Sequence, residues 1–463
     1  MAPSFGTSGL RGLVIDLTDD LITDYVHAFL MTLRTCETLY VGRDLRPSSP
    51  AIAATICRVT QAAGVDVVDC GALGTPALAL ASMSAGHAAI MVTGSHIPAD
   101  RNGLKFYLPN GEISKSDERS IADAYARQAR YSGHQGGTYT YDDAAETRYI
   151  ARYIDAFGTD ALSGCRIGVY RHSSVARDTM EHIFNGLGAQ VIPLGNSDTF
   201  IPVDTEAVDP ATKDMLARWC DAHALDAIAS TDGDADRPML TDATGKVIAG
   251  DVLGVLTARA LRAQAVVTPV SSNDMVRRMP EFTAVHLTRI GSPFVIAGMD
   301  AARGAHADVV GFEANGGFLL GFPAQINGPI SPLPTRDCML PILAPLFAAK
   351  STNQSLADLV QNLPACFTAA DRLQNIDRAK AGVFLSNLID DASERSAFFA
   401  SFGEIHSVDL TDGLRVDFES GDVVHLRPSG NAPEFRIYAQ SVSEARAIEV
   451  MEHAKSAVAT QIG

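Results

Sequence analysis

Three carboxylates at alternate positions, Asp232-Gly-Asp-Ala-Asp236, are followed at once by Arg237. Alternate side chains of an extended loop project to one side, and the mutual repulsion of three such charges is best relieved by a hard divalent cation. Solvated turn acids are the other reading of this spacing. An EF-hand is excluded, because counting from Asp232 places Arg237 where glycine is required and Ala243 where a bidentate glutamate is required. An arginine directly after the acids suits a phosphate beside the cation. Arg427-Pro-Ser-Gly-Asn-Ala-Pro-Glu-Phe-Arg436 points the same way: Arg427, Arg436, the Ser429 hydroxyl and the amides around Gly430 and Asn431 can cradle a phosphate. A hairpin connection carrying ordinary surface arginines also fits that stretch. In Thr93-Gly-Ser-His-Ile-Pro98, Ser95 adjoins His96. A nucleophile elbow is ruled out by Ile97 at the place of the second glycine, and adjacent side chains diverge too far for a Ser/His pair. Ser95 alone reads as a turn residue or a nucleophile of another kind.

The surrounding pattern says what must hold these loops. Strand and helix signals alternate from Thr38–Val41 through Val65–Asp69 and a helix near Thr75-Pro76 to the apolar run Ala88–Val92, which delivers Ser95 to a loop. A second round runs from Cys165–Tyr170 through an amphipathic segment, Ala176–Leu187, and Gln190–Leu194 to Leu225–Ser230, directly before the acidic loop. A third runs through Ala265–Val270 and Thr283–Leu287 and closes on Val309-Val-Gly-Phe-Glu-Ala-Asn-Gly-Gly-Phe318. Three polar, Gly-containing loops at strand tips predict one shared cleft, since ligands of open α/β sheets bind there. After residue 362 alternating strands dominate, including Gly413–Phe418 and Val423–Arg427, and Ser441-Val-Ser-Glu444 predicts a capping box opening a last helix.

At 463 residues the chain has room for several cores, and about 150 residues per domain is a reasonable prior. Its net charge of −17 argues against nucleic-acid binding, which needs a basic face. Seven cysteines stand singly at 36, 57, 70, 165, 220, 338 and 366, without zinc-type spacing, and read as buried reduced thiols. No secretory or organelle signal is recognisable, and no apolar run approaches the ~20 residues of a membrane helix, so a cytoplasmic protein without membrane partners is expected. A dinucleotide fingerprint and a Walker pattern are both missing.

Taken together, the loops resemble the α-D-phosphohexomutase superfamily of phosphomannomutases and phosphoglucomutases. The opening Phe5-Gly-Thr-Ser-Gly-Leu-Arg-Gly12, Gly42-Arg-Asp-Leu-Arg-Pro-Ser-Ser49 and Gly74-Thr-Pro76 are similar to family segments. Thr93–Pro98 resembles the phosphoserine loop, Asp232–Arg237 the metal loop, Glu313-Ala-Asn-Gly316 the sugar loop and Arg427–Arg436 the phosphate loop.

The resemblance implies an α/β protein in which three related α/β domains with mixed sheets and a smaller C-terminal α+β domain surround a central cleft. The corresponding spans are 1–150 with the phosphoserine loop, 151–250 with the metal loop, 251–362 with the sugar loop and 363–463 with the phosphate loop. It implies Mg²⁺ on Asp232, Asp234, Asp236 and the phosphorylated Ser95, and Arg11 or Lys105 in proton transfer. Lys105 is the more natural base because burial lowers an amine's pKa, whereas arginine rarely deprotonates. His96 is the weaker candidate and suits loop orientation better. Glu313, Asn315 and Gly316 would meet sugar hydroxyls; Arg237, Arg427, Ser429, Gly430, Asn431 and Arg436 would meet phosphate.

The expected reaction interconverts hexose 6-phosphate and hexose 1-phosphate through a hexose 1,6-bisphosphate, which is both intermediate and activator, in a monomer or homodimer. Mannose phosphate is the expected substrate and glucose phosphate the alternative, with a phosphosugar-binding protein lacking turnover or a metal-dependent phosphatase as readings from other classes. Two departures bear on the sugar. Asn315 replaces the usual serine and Gly317 the usual histidine of the sugar loop, and Ser292 stands where several relatives carry histidine.

Overall fold

The computed structural model describes residues 3–6, 9–33, 36–133, 136–428 and 434–462. Its first three sheets repeat one plan. Thr38–Arg43 lies between its parallel partners Asp66–Ala72 and Ala88–Val92, and Arg101–Leu108 then adds antiparallel to Ala88–Val92. Arg166–His172 is flanked in the same way by Gln190–Asn196 and Ala227–Thr231, with Pro238–Thr241 antiparallel beyond. Ala265–Pro269, Ala284–Thr288, Val309–Phe312 and Phe318–Leu320 repeat it again. The fold is therefore α/β with mixed sheets, as expected.

The inner strands Ala88–Val92, Ala227–Thr231 and Ala265–Pro269 are buried at every position. Helices cover both faces of such strands, which is why these segments read as unbroken apolar runs. The fourth sheet is antiparallel throughout, in the order Phe367–Gln374, Glu434–Ser441, Val423–Pro428, Leu414–Phe418, Ile405–Asp409. Glu434–Ser441 begins with strict in-out alternation, the mark of a sheet solvated on one face.

The expected capping box is displaced. The last helix runs Glu444–Ile462, and Ser443, not Ser441, accepts the Arg446 amide at 3.3 Å. Ser441 instead donates to Asp422 at 2.6 Å, because its place in the strand commits it to the sheet. All seven cysteines are unpaired and buried or half-buried. Among the described residues no helix is long and apolar enough to cross a membrane.

Candidate active site

The first and second strand tips meet at Ser95. Its hydroxyl donates to Asp232 Oδ2 at 2.5 Å, and the residue is buried. Ser95 has φ 56° and Ala235 has φ 62°, left-handed values that ordinary side chains avoid. Such strain concentrates where a loop is built to present a group. Here it turns each loop toward the other.

The Ser95 loop is held from beneath by Arg46, a residue the sequence reading quoted without a role. Its guanidinium donates to the carbonyls of Ser95 at 2.8 Å, Ile97 at 2.6 Å, Pro98 at 2.7 Å and Arg101 at 3.1 Å. Asp44 pairs with it at 3.1 Å and also accepts from Ser49 and Thr93, while the Thr93 hydroxyl takes the Ser95 amide at 2.8 Å. The Gly42–Ser49 segment is thus the foundation of the serine loop.

Asp232, Asp234 and Asp236 are buried, and each can place a carboxylate oxygen within 4.8 Å of the others. Burial, then the charges of Asp234 and Asp236, push Asp232 well above the usual carboxylate range. Burial would raise Asp236 too, but Arg336, Lys105 and Arg237 hold it below that range. Among the described residues the buried Oδ1 atoms of Asp234 and Asp236 have no hydrogen-bond partner. Convergent, partly unsatisfied carboxylate oxygens fit a hard divalent cation. Thr75 Oγ1 donates to Asp234 Oδ2 at 2.6 Å and the Thr75 amide to Asp234 O at 2.9 Å, which gives Gly74-Thr-Pro76 its function.

Lys105 is 4% exposed and its ammonium lies 2.5 Å from both Asp234 and Asp236. It stands as the internal counter-cation of the acidic loop. Arg11 is pulled down to about 10 by burial and by the neighbouring Arg237. Burial, Arg237 and Arg11 drive His96 far below the ordinary histidine range, so it is neutral, with Nδ1 3.3 Å from Ser95 Oγ. Arg237 donates its amide to Asp232 Oδ1 at 3.3 Å and its guanidinium lies 3.8 Å from Asp236.

The third tip closes on the second. Glu313 is 4% exposed, and Asn315 Oδ1 accepts the Gly317 amide at 3.0 Å, so the amide carbonyl braces the loop. Gly316 has φ 86°, and a Cβ there would lie 2.6 Å from Pro238, which only glycine avoids. Arg336 joins this loop to the acids, 2.7 Å from Asp236 and 3.1 Å from Glu313. No local pattern around Arg336 could have announced it. Ser292 is turned to another task, donating to Glu112 at 2.6 Å.

Arg427 and Arg436 are direct cross-strand partners at the base of the fourth loop. Like charges in that position repel, and an anion between them would relieve the strain. Arg427 is paired with Asp412 at 3.0 Å, while among the described residues the buried Nε of Arg436 lacks a hydrogen-bond partner. Ser429, Gly430 and Asn431 lie outside the described residues.

Comparison with known proteins places the chain in a family. The family model for phosphoglucomutase/phosphomannomutase alpha/beta/alpha domain I matches residues 2–132, and that for domain III matches 249–367. A phosphomannomutase of Sinorhizobium fredii is 44% identical over 458 residues, covering 95% of each chain. A phosphomannomutase of Salmonella muenchen is 42% identical, covering 99% of this chain and 96% of that one. A phosphoglucomutase/phosphomannomutase family structure from Burkholderia thailandensis has the same fold at TM-score 0.80, with 20% identity over 98% of this chain and 97% of that one. With full-length relatives at this identity and two matched domains, the chain belongs to the phosphoglucomutase/phosphomannomutase family.

Proposed function

We propose that the chain is a phosphomannomutase, interconverting mannose 6-phosphate and mannose 1-phosphate through a phosphorylated Ser95 and a mannose 1,6-bisphosphate. The observation that carries this reading is the meeting of Ser95 Oγ with Asp232 at 2.5 Å in a buried acidic loop. The choice of mannose rests on the two full-length relatives called phosphomannomutase at 44% and 42% identity.

Asp232, Asp234, Asp236 and a phosphoserine oxygen would hold Mg²⁺, which when bound neutralises the ~−1.5 to −2 charges that phosphorylation adds at Ser95. A free hydroxyl of the hexose phosphate attacks phosphorus, the bond to Ser95 Oγ breaks, and the proton lost by the hydroxyl ends on the departing Ser95 Oγ. The bisphosphate then reverses and returns its other phosphate to Ser95. Lys105, held by Asp234 and Asp236, is assigned to proton transfer at the reacting hydroxyl, and Arg11 stays cationic at neutral pH and stabilises phosphoryl charge. His96, being neutral, orients the serine. Glu313 and Asn315 meet the sugar, and the Arg427–Arg436 loop grips the distal phosphate in either orientation. We assign these roles to four units divided near residues 150, 250 and 362.

Comparing kcat/KM for mannose, glucose and N-acetylglucosamine 1-phosphates, with Mg²⁺ and a trace of hexose 1,6-bisphosphate, tests the substrate. Mannose phosphate should lead, and equal or higher turnover of another sugar refutes the assignment. Intact mass should show one phosphoryl group that Ser95→Ala loses together with at least a thousandfold of activity. Release of inorganic phosphate at the rate of turnover would identify a phosphatase instead.

A further inference from the structure

We propose that Arg336 is a positioning residue that orients the sugar-facing carboxylate of Glu313 by tying it to the acidic loop. This rests on the mutase reading above. Arg336 lies in the strand Leu333–Asp337 and is 3% exposed. Its fork spans three acids from three separate parts of the chain: Asp236 in the loop after Ala227–Thr231 at 2.7 Å, Glu313 in the loop after Val309–Phe312 at 3.1 Å, and Glu112 in a strand of the first sheet at 3.8 Å.

Glu112 is itself fixed. It accepts from Ser292 at 2.6 Å, Thr335 at 2.9 Å and the Arg336 amide at 3.3 Å. A Cβ on Gly317 would come within 2.9 Å of Arg336 Cδ, so the sugar loop has a bare backbone where the arginine stem passes. The glycine replacing the family's usual histidine therefore makes room for the stem of Arg336.

A planar guanidinium transmits orientation in a way an ammonium does not, since its donors are fixed relative to one another. With one arm on Asp236 and another on Glu313 Oε2, Arg336 fixes the plane of a carboxylate that must accept from adjacent sugar hydroxyls. Losing it leaves Glu313 chemically intact but free to turn. Residues acting through one another show non-additive effects.

The test uses R336M and R336K, each alone and combined with E313Q. Mannose 6-phosphate affinity is measured by calorimetry, KM and kcat by turnover, and folding by the thermal midpoint. Single variants at Arg336 should raise both Kd and KM at least tenfold, with a smaller change in kcat. In the E313Q background the same change should add less than threefold. R336K carries the test if R336M does not fold, because it keeps the buried charge and loses only the fork. A Kd within threefold of wild type, or losses that multiply fully in the double variants, overturns the proposal. Wild-type protein whose binding of mannose 6-phosphate depends on Arg336 and Glu313 non-additively, but which does not convert it, would sink the mutase reading and leave the positioning role standing.

Discussion

A guanidinium buried away from water needs its donors matched, and Arg46 meets that demand with four loop carbonyls, Asp44 and the face of Phe200 4.1 Å from its carbon. Removing one partner of such a set leaves carbonyls and a carboxylate buried and unpaired, which costs about 3–5 kcal/mol. Arg46→Met should therefore lower unfolding stability in urea by roughly that amount, and the activity of the remaining folded protein should fall at least a hundredfold because the Ser95 turn is no longer supported. Wild-type stability would refute the clamp. A destabilised variant with full activity per folded molecule would refute its bearing on Ser95. Asp232 could be singled out from the sequence by its alternating charge pattern, and Ser95 only by the resemblance of Thr93–Pro98 to the family's phosphoserine loop. Arg46 and Arg336 could not, since the carbonyls that Arg46 holds lie 49 to 55 residues away, and the acids that Arg336 bridges come from three separate segments of the chain.

Elements behave differently, because a strand buried on both faces is written in consecutive residues. Ala88–Val92 is found where its apolar run predicts it, and Gln190–Asn196 and Val309–Phe312 begin at the predicted residues. Segments set by competition were harder. The helix Ala145–Phe157 is fixed by Tyr149 and Tyr153, which both donate to Asp337, and the last helix opens at Ser443 because the sheet claims Ser441. One element carries a pH signature. Asp251 lies in the first turn of the helix Gly250–Ala260, takes the Asn273 amide at 2.9 Å, and is raised by burial from 3.8 to about 6. A carboxyl raised in the folded state contributes stability that is full below its unfolded pKa and disappears as pH rises through about 6. Asp251→Asn, which keeps an acceptor and removes the charge, should be more stable than wild type at pH 8, by about 1–3 kcal/mol. The gap should close by pH 4. Urea unfolding across that range measures it, and a gap independent of pH would show that Asp251 is not the titrating group.

On the scale of the whole molecule, one apolar core runs continuously from Cys70 to Cys366 through the first three sheets, while the fourth sheet has its own, from Ala381 to Ile462. The joint between third and fourth sheets relies on polar groups. Arg415, 2% exposed, donates to Val270 O at 2.9 Å and pairs with Asp274; Gln440 takes the Asp274 amide at 3.0 Å and donates to Ser272 O at 2.9 Å. Farther out, Asp412 takes the Ile290 amide at 2.9 Å while also holding Arg427. Separate cores joined by polar contacts unfold as separate cooperative units, unlike sheets that share a core. Amide exchange should therefore show the fourth sheet opening at lower denaturant than the first three, which should open together. Arg415→Met leaves Asp274 buried without its main cation, a loss of about 3–5 kcal/mol at the joint. It should lower the midpoint of the fourth sheet and leave the first three unmoved. If the Arg427–Arg436 loop and Glu313 bind mannose 6-phosphate together, as proposed above, the sugar phosphate should raise the fourth sheet's midpoint by linkage. A single transition shared by all four sheets, unaffected in order by Arg415→Met, would mean that the joint is as cooperative as the cores themselves.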